Sequence, residues 1–232
     1  MNKFLLVVTL VSALLILAAC ESDPVQPRLT WKVEPTLEYA SISFCPLCGF
    51  VANGMMIDAS TGEVTGYRLG HGHAAIRLLH DEALGLFGEF RSSESGMDLR
   101  LLTENEFLSI FPFRADSLNL FYGIDSTRIT SENFEWGTDY DLSEAYTGRL
   151  ALAVGTGFVT EFAFDAGEWS EWGFTARSFR SMVAVRQNGK WGIVDFNGNI
   201  VVPFVLEHSI VIDDYTAFAK YNGTYGILIV IR

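Results

Sequence analysis

The chain has 232 residues, 49% of them hydrophobic, and 28 acidic residues outnumber 16 basic ones for a net charge of −12. A surface this acidic repels phosphate backbones, which excludes nucleic acid as an expected partner. The length suffices to bury a core without help from metal or disulfides.

Residues 1–20 read as an address. Lys3 supplies a positive start, Phe4 to Ile16 is an apolar run, and "LAAC" closes it at Cys20. The run falls short of the roughly 20 residues a membrane-spanning helix needs. The small-residue exit ending on cysteine resembles the lipobox of bacterial lipoproteins, and the resemblance implies that Cys20 becomes the N-terminus and carries the acyl chains. The expected location is then the cell membrane, lipid-anchored and extracytoplasmic. Removing this segment takes away one base, Lys3, and no acid, leaving −13.

Residues 21–36 carry three prolines in a polar stretch and are read as an extended tether, with the folded part starting near Thr36 to Glu38. Residues 37–135 form a β-rich region without a clean period. "CPLC" sets Cys45 and Cys48 in an oxidising compartment, where a disulfide or unreactive thiols are expected. His71 and His73 would be needed to complete a zinc site, but His-Gly-His is not the usual ligand spacing, so no metal and no cofactor is predicted. "MMIDASTGEVTGY" places Asp58 and Gly62 as a turn between two strands, and "AIRLLHDEALGLFGEF" reads as two strands around a turn at Asp81 to Gly85. One short helix is predicted near 103–111, with Thr103 and Glu106 as a capping box, Phe107, Leu108 and Phe111 as an apolar stripe, and Pro112 as the stop. His71, His73 and His80 with Asp58 or Asp81 offer material for a hydrolytic site, but no catalytic motif accompanies them.

Residues 136–232 are the more ordered text. "YTGRLALAVGTGFVTEFAFD" keeps two apolar strands around a glycine-rich turn. Asn188-Gly189 and Asn197-Gly198 are strong signals for two-residue hairpin turns, because Asn and Gly tolerate positive φ. Shifted by 34 residues the pattern returns: "VAVRQNGKWGIV" lies over "AFAKYNGTYGIL", matching Trp191-Gly192 to Tyr225-Gly226 and Arg186 to Lys220. Trp191, Gly192, Asp195, Gly198, Val202 and Pro203 resemble the WG repeat of many bacterial proteins. The last copy is cut short, with Ile229 where Asp195 would fall.

An aromatic beside a glycine reads as a packing device: the ring buries a large area and the glycine lets a neighbouring strand approach. The expected fold is mainly β, built of antiparallel hairpin and meander repeats of WG type. Such units build extended surfaces suited to holding partners. The expected function is therefore a non-catalytic scaffold or binding module at the cell envelope, held to the membrane by its lipid and engaging an envelope protein or wall polymer. The alternative is an envelope hydrolase using the histidine-containing N-terminal half.

Overall fold

The computed structural model describes residues 28–45, 49–67, 76–93, 96–110, 118–129, 145–168 and 181–231. The strands are β1 (Thr30–Leu37), β2 (Ile42–Cys45), β3 (Gly49–Ala52), β4 (Met55–Ile57), β5 (Val64–Tyr67), β6 (Ile76–Asp81), β7 (Leu86–Ser93), β8 (Gly96–Leu102) and β9 (Leu118–Ile124). After these come β10 (Tyr146–Val154), β11 (Gly157–Phe158), β12 (Ala166–Gly167), β13 (Met182–Gln187), β14 (Lys190–Asp195), β15 (Ile200–Leu206), β16 (His208–Val211), β17 (Thr216–Tyr221) and β18 (Thr224–Ile229). The helix α1 (Glu104–Ile110) falls in the predicted place. Its capping box forms: Thr103 donates to Glu106 Oε2 through N (2.8 Å) and Oγ1 (2.6 Å), while Glu106 N donates back to Thr103 Oγ1 at 3.4 Å. Phe111 and Pro112 lie outside the described residues.

The strands form four sheets among the described residues, ordered β2-β3-β4-β5, β11-β10-β9-β6-β7-β8, β12-β13-β14-β15 and β16-β17-β18-β1. The pairing is antiparallel except between β6 and β9, which run parallel. That exception follows from connectivity, since the chain leaves β6 through the β7–β8 hairpin and returns after α1 on the other side. The six-stranded sheet joins strands from both sides of residue 135, so the expected boundary between two regions runs through one hydrogen-bonded sheet.

Three of these hairpins turn on Asn-Gly in the left-handed region: Asn188 and Gly189 (φ 51° and 77°), Asn222 and Gly223 (51° and 86°), and Asn53 and Gly54 (50° and 83°). The third carries no repeat signature in the sequence, because Met56 and Ile57 stand where the others have an aromatic and a glycine. Turns after β4 and β14 are also alike. Asp58 Oδ1 accepts from Ser60 N and Thr61 N, and Asp195 Oδ1 accepts from Asn197 N and Asn199 N.

The sheets stack face to face, and strand alternation decides which neighbour each side chain meets. From β13 and β14, Val183, Val185 and Val194 pack on Leu118, Leu120, Leu150 and Leu152 of β9 and β10. The opposite face sends Met182, Ala184, Trp191 and Ile193 against Val211, Ala217, Ala219 and Leu228. Phe218, Tyr225 and Ile227 then turn to Ile42, Phe50, Ala52 and Ile57. Burial on both faces explains the unbroken apolar run "MVAV" in β13. On the outer face of the six-stranded sheet, Phe107 of α1 packs with Phe87 and Phe121.

Residues 30–37 correct the tether reading. They form β1, paired antiparallel with β18 at the outer edge of the last sheet. Alternation of exposed and half-buried residues turns Trp31, Val33 and Leu37 inward, and Pro35 is tolerated because an edge strand need not donate on its outer side.

Candidate functional site

The inner edges of three sheets, β2, β12 and β16, converge on a cleft of about 430 Å³. Its lining includes Phe44, Glu168, Arg186, Trp191, Glu207 and His208. Exposed strand edges are templates for unwanted pairing, and here side chains cap them. Glu168 Oε2 accepts from Val211 N on β16, and the Tyr225 hydroxyl accepts from Ile42 N on β2 at 3.4 Å.

Trp191 and Tyr225, matched in sequence, meet around one residue the sequence did not mark. The Trp191 ring lies 4.9 Å from the His208 ring at 58°, and the Tyr225 hydroxyl is 3.0 Å from His208 Nδ1. A hydroxyl oxygen that accepts from Ile42 N–H can still either donate to Nδ1 or accept from it, so the direction of the Tyr225–His208 bond follows the imidazole tautomer. Burial, reinforced by the Lys220 cation, lowers the His208 pKa to about 4. Burial likewise raises Tyr225 to about 12, with the Glu207 carboxylate adding to it and the hydrogen bond from Ile42 opposing. The pair is therefore neutral at pH 7.

Gly192 and Gly226 sit where no side chain fits. A Cβ on Gly192 would lie 2.7 Å from the Val202 carbonyl oxygen, and one on Gly226 would lie 2.5 Å from that of Val33 and 2.9 Å from Pro35 N. Both glycines thus admit the backbone of the outer strand. Arg186 and Lys220 also occupy equivalent register positions, opposite Trp191 and Tyr225. Their surroundings differ. Lys220 Nζ donates to the Ala40 carbonyl at 3.2 Å, whereas Arg186 Nε is buried in the cleft wall without a hydrogen-bond partner among the described residues.

The remaining candidates do not assemble. Cys20, Cys48, His71 and His73 lie outside the described residues; of Cys45 only the backbone, ending β2, is described. His80 Nδ1 is buried without a hydrogen-bond partner among the described residues, and the carboxylates of both aspartates suggested for it are engaged elsewhere. Asp81 Oδ1 and Oδ2 accept from Leu84 N and Ser126 N, and Asp58 serves its own turn. The His80 ring is instead packed among Phe87, Phe158 and Phe162 at 4.7, 4.5 and 5.8 Å. Desolvation lowers its pKa against the opposing pull of Asp81 and Glu82. Among the described residues no group of three or more His, Cys, Asp or Glu is placed to hold a metal ion, and no helix is long and apolar enough to cross a membrane.

His208, Arg186 and Glu168 had little sequence signal as a site, since they are scattered over 40 residues and meet only when β12, β13 and β16 stack. No family model, curated protein or solved structure matches the chain.

Proposed function

We propose that this chain is a lipid-anchored, extracytoplasmic binding module of the WG-repeat type, held to the cell membrane through Cys20 and engaging an envelope protein or wall polymer without catalysing a reaction. The observation that carries the reading is the cleft: a concave site at the junction of three sheets, with an indole on its wall and an arginine of unused hydrogen-bonding capacity. Its histidine is neutral, and its Nδ1 is taken by Tyr225. The arrangement suits holding a partner better than activating one.

The reading is tested at the envelope with a photo-crosslinking residue in place of exposed Glu207 at the cleft. Exposed Leu84, in the β6–β7 turn, serves as control. A defined protein or wall polymer captured from position 207 and not from 84 supports it. Capture of nothing at 207, or turnover of an ester, peptide or glycoside substrate that is lost with His71→Ala, overturns it.

A further inference from the structure

Resting on the binding-module reading, we infer that the cleft recognises the free carboxylate at the end of a peptide chain, with Arg186 as its anchor and Trp191 as the wall along which the last residues lie. Arg186 and Trp191 are cross-strand partners on neighbouring β13 and β14, so both side chains project from the same face of the sheet into the cleft. A buried guanidinium N–H without an acceptor costs free energy that a bound acceptor recovers, and the planar fork of arginine matches a carboxylate in two parallel hydrogen bonds. The guanidinium offers donors and no acceptor, which calls for an acceptor group on the ligand.

The charges nearby narrow the ligand. Glu168 and Glu207 also line the cleft, and they are partly committed: Glu168 Oε2 accepts from Val211 N and Glu207 Oε1 accepts from Gly223 N. With Lys220 close enough to act on His208, two cations stand near two carboxylates, a balance that admits a single negative charge at Arg186 and disfavours a dianionic phosphate or a polyanion. Apart from Ile42 N and Val211 N, which side chains already hold, the walls are strand edges, a setting in which an extended peptide is recognised through its main chain better than a hydrocarbon is. The volume of about 430 Å³ holds the last two or three residues of a chain.

The test uses the immobilised protein and two degenerate pools of N-acetylated tripeptides, one ending in a free carboxylate and the other in a carboxamide. Retained peptides are identified by mass spectrometry. Members of the acid pool should be retained about tenfold or more over their amides, and Arg186→Met should abolish the difference. On the unmodified protein, acetate should displace the retained acids where acetamide does not, a readout that stands even if Arg186→Met fails to fold. Equal retention of both pools, retention from neither, or displacement by acetamide as readily as by acetate overturns the inference. The two readings fail separately. A partner captured through position 207 but indifferent to acetate and to Arg186→Met removes the carboxylate assignment and leaves the binding module standing.

Discussion

Val33 near the start of the described chain and Val202 in β15 hold the same place in two different sheets: Val33 lies opposite Ile227, Val202 lies opposite Ile193, and those partners are 34 residues apart. The correspondence runs along the whole strand. Leu37 faces Tyr225 as Leu206 faces Trp191, and Trp31 faces Leu228 as Ile200 faces Val194. β1 thus supplies the outer strand of the last sheet, in the register β15 uses for its own sheet. Joining distant parts of the chain also stabilises the fold as one unit, since β1 must stay paired to cover β18.

A circular permutant tests this. Ile229 pairs directly with Thr30, as Asp195 and Asn199 close the equivalent turn. Moving residues 30–37 behind Ile229 through a loop copied from residues 196–198 should give a protein that unfolds cooperatively at close to the original temperature. Deleting residues 30–37 outright should lower stability by several kcal/mol, because it uncovers β18 and part of two core clusters. A permutant no more stable than the deletion would refute the equivalence of β1 and β15.

The two close-approach glycines give a graded prediction. Gly192→Ala and Gly226→Ala each set a methyl against backbone, which cannot swing aside, and roughly 1 to 3 kcal/mol is expected for each. Gly226→Ala should cost more, since its methyl meets three backbone atoms of β1 within 3.0 Å whereas Gly192 has one, together with the Phe204 ring. Gly66→Ala, with nothing within 4 Å, should be near neutral. Chemical denaturation ranks the three, and equal costs for all would remove the packing role of these glycines.

What the sequence made legible was local. The capping box at Thr103 and Glu106 and the Asn188-Gly189 and Asn222-Gly223 hairpins are set by residues adjacent in the chain, so their chemistry can be read directly. Asn197-Gly198, expected as a two-residue turn, belongs instead to the three-residue loop 196–198, in which Gly198 alone takes positive φ. Long-range pairings leave no comparable mark. β1 reads as a tether because Pro35, following Pro24 and Pro27, looks like linker composition until β18 is placed beside it. Acidic residues that brace the hairpins show the same limit. Asp165 Oδ2 accepts from Gly189 N and Glu207 Oε1 from Gly223 N, one role filled from 24 and from 16 residues away. A fixed-period comparison cannot align them. The cleft was illegible for that reason too, since His208 lies in "LEHSI", which has no motif of its own.

Acid should weaken the fold through His208. Its folded pKa of about 4 lies below the ordinary value of 6.5, so the unfolded chain takes up the proton first as pH falls. The stability that goes with the neutral ring is complete above pH 6.5 and is lost progressively between 6.5 and 4. The lost contribution is of order 2 kcal/mol at pH 4.5, after allowing for solvent on the cleft side of the ring. Lys220, Glu207 and Glu168 face the same region, and carboxylates elsewhere also respond to acid, so the contrast that matters is with His208→Asn. The asparagine amide can still hydrogen-bond the Tyr225 hydroxyl but does not titrate. Urea midpoints at pH 7 and 4.5 should fall less for His208→Asn than for the original protein; parallel losses would show that His208 does not titrate as described.

Tyr225→Phe isolates the link between the last sheet and the first. The ring is 1% exposed and phenylalanine preserves its packing, so the change removes only the hydroxyl that accepts from Ile42 N and shares a hydrogen bond with His208 Nδ1. A buried N–H left without an acceptor costs roughly 1 to 2 kcal/mol. Amide exchange at Ile42 should accelerate more than at Val211, whose N–H is held by Glu168 in the neighbouring interface. Equal acceleration at both would mean a general loosening of the stack and not a local seam at β2.

Trp191→Ala separates packing from recognition at the cleft wall. The indole is 9% exposed and belongs to the cluster that joins β13 and β14 to the last sheet, so its loss should destabilise by roughly 3 to 5 kcal/mol. The same deletion opens one side of His208, which the indole covers at 4.9 Å, and the imidazole pKa should climb from about 4 toward its ordinary value. Trp191→Phe keeps an apolar ring on the wall and should retain more of both the stability and the depressed pKa. Melting followed by calorimetry and imidazole titration followed by NMR read the two effects independently. An alanine variant that melts as the original does, while losing retention of carboxylate-ended peptides, would assign the ring to the ligand alone and remove it from the core.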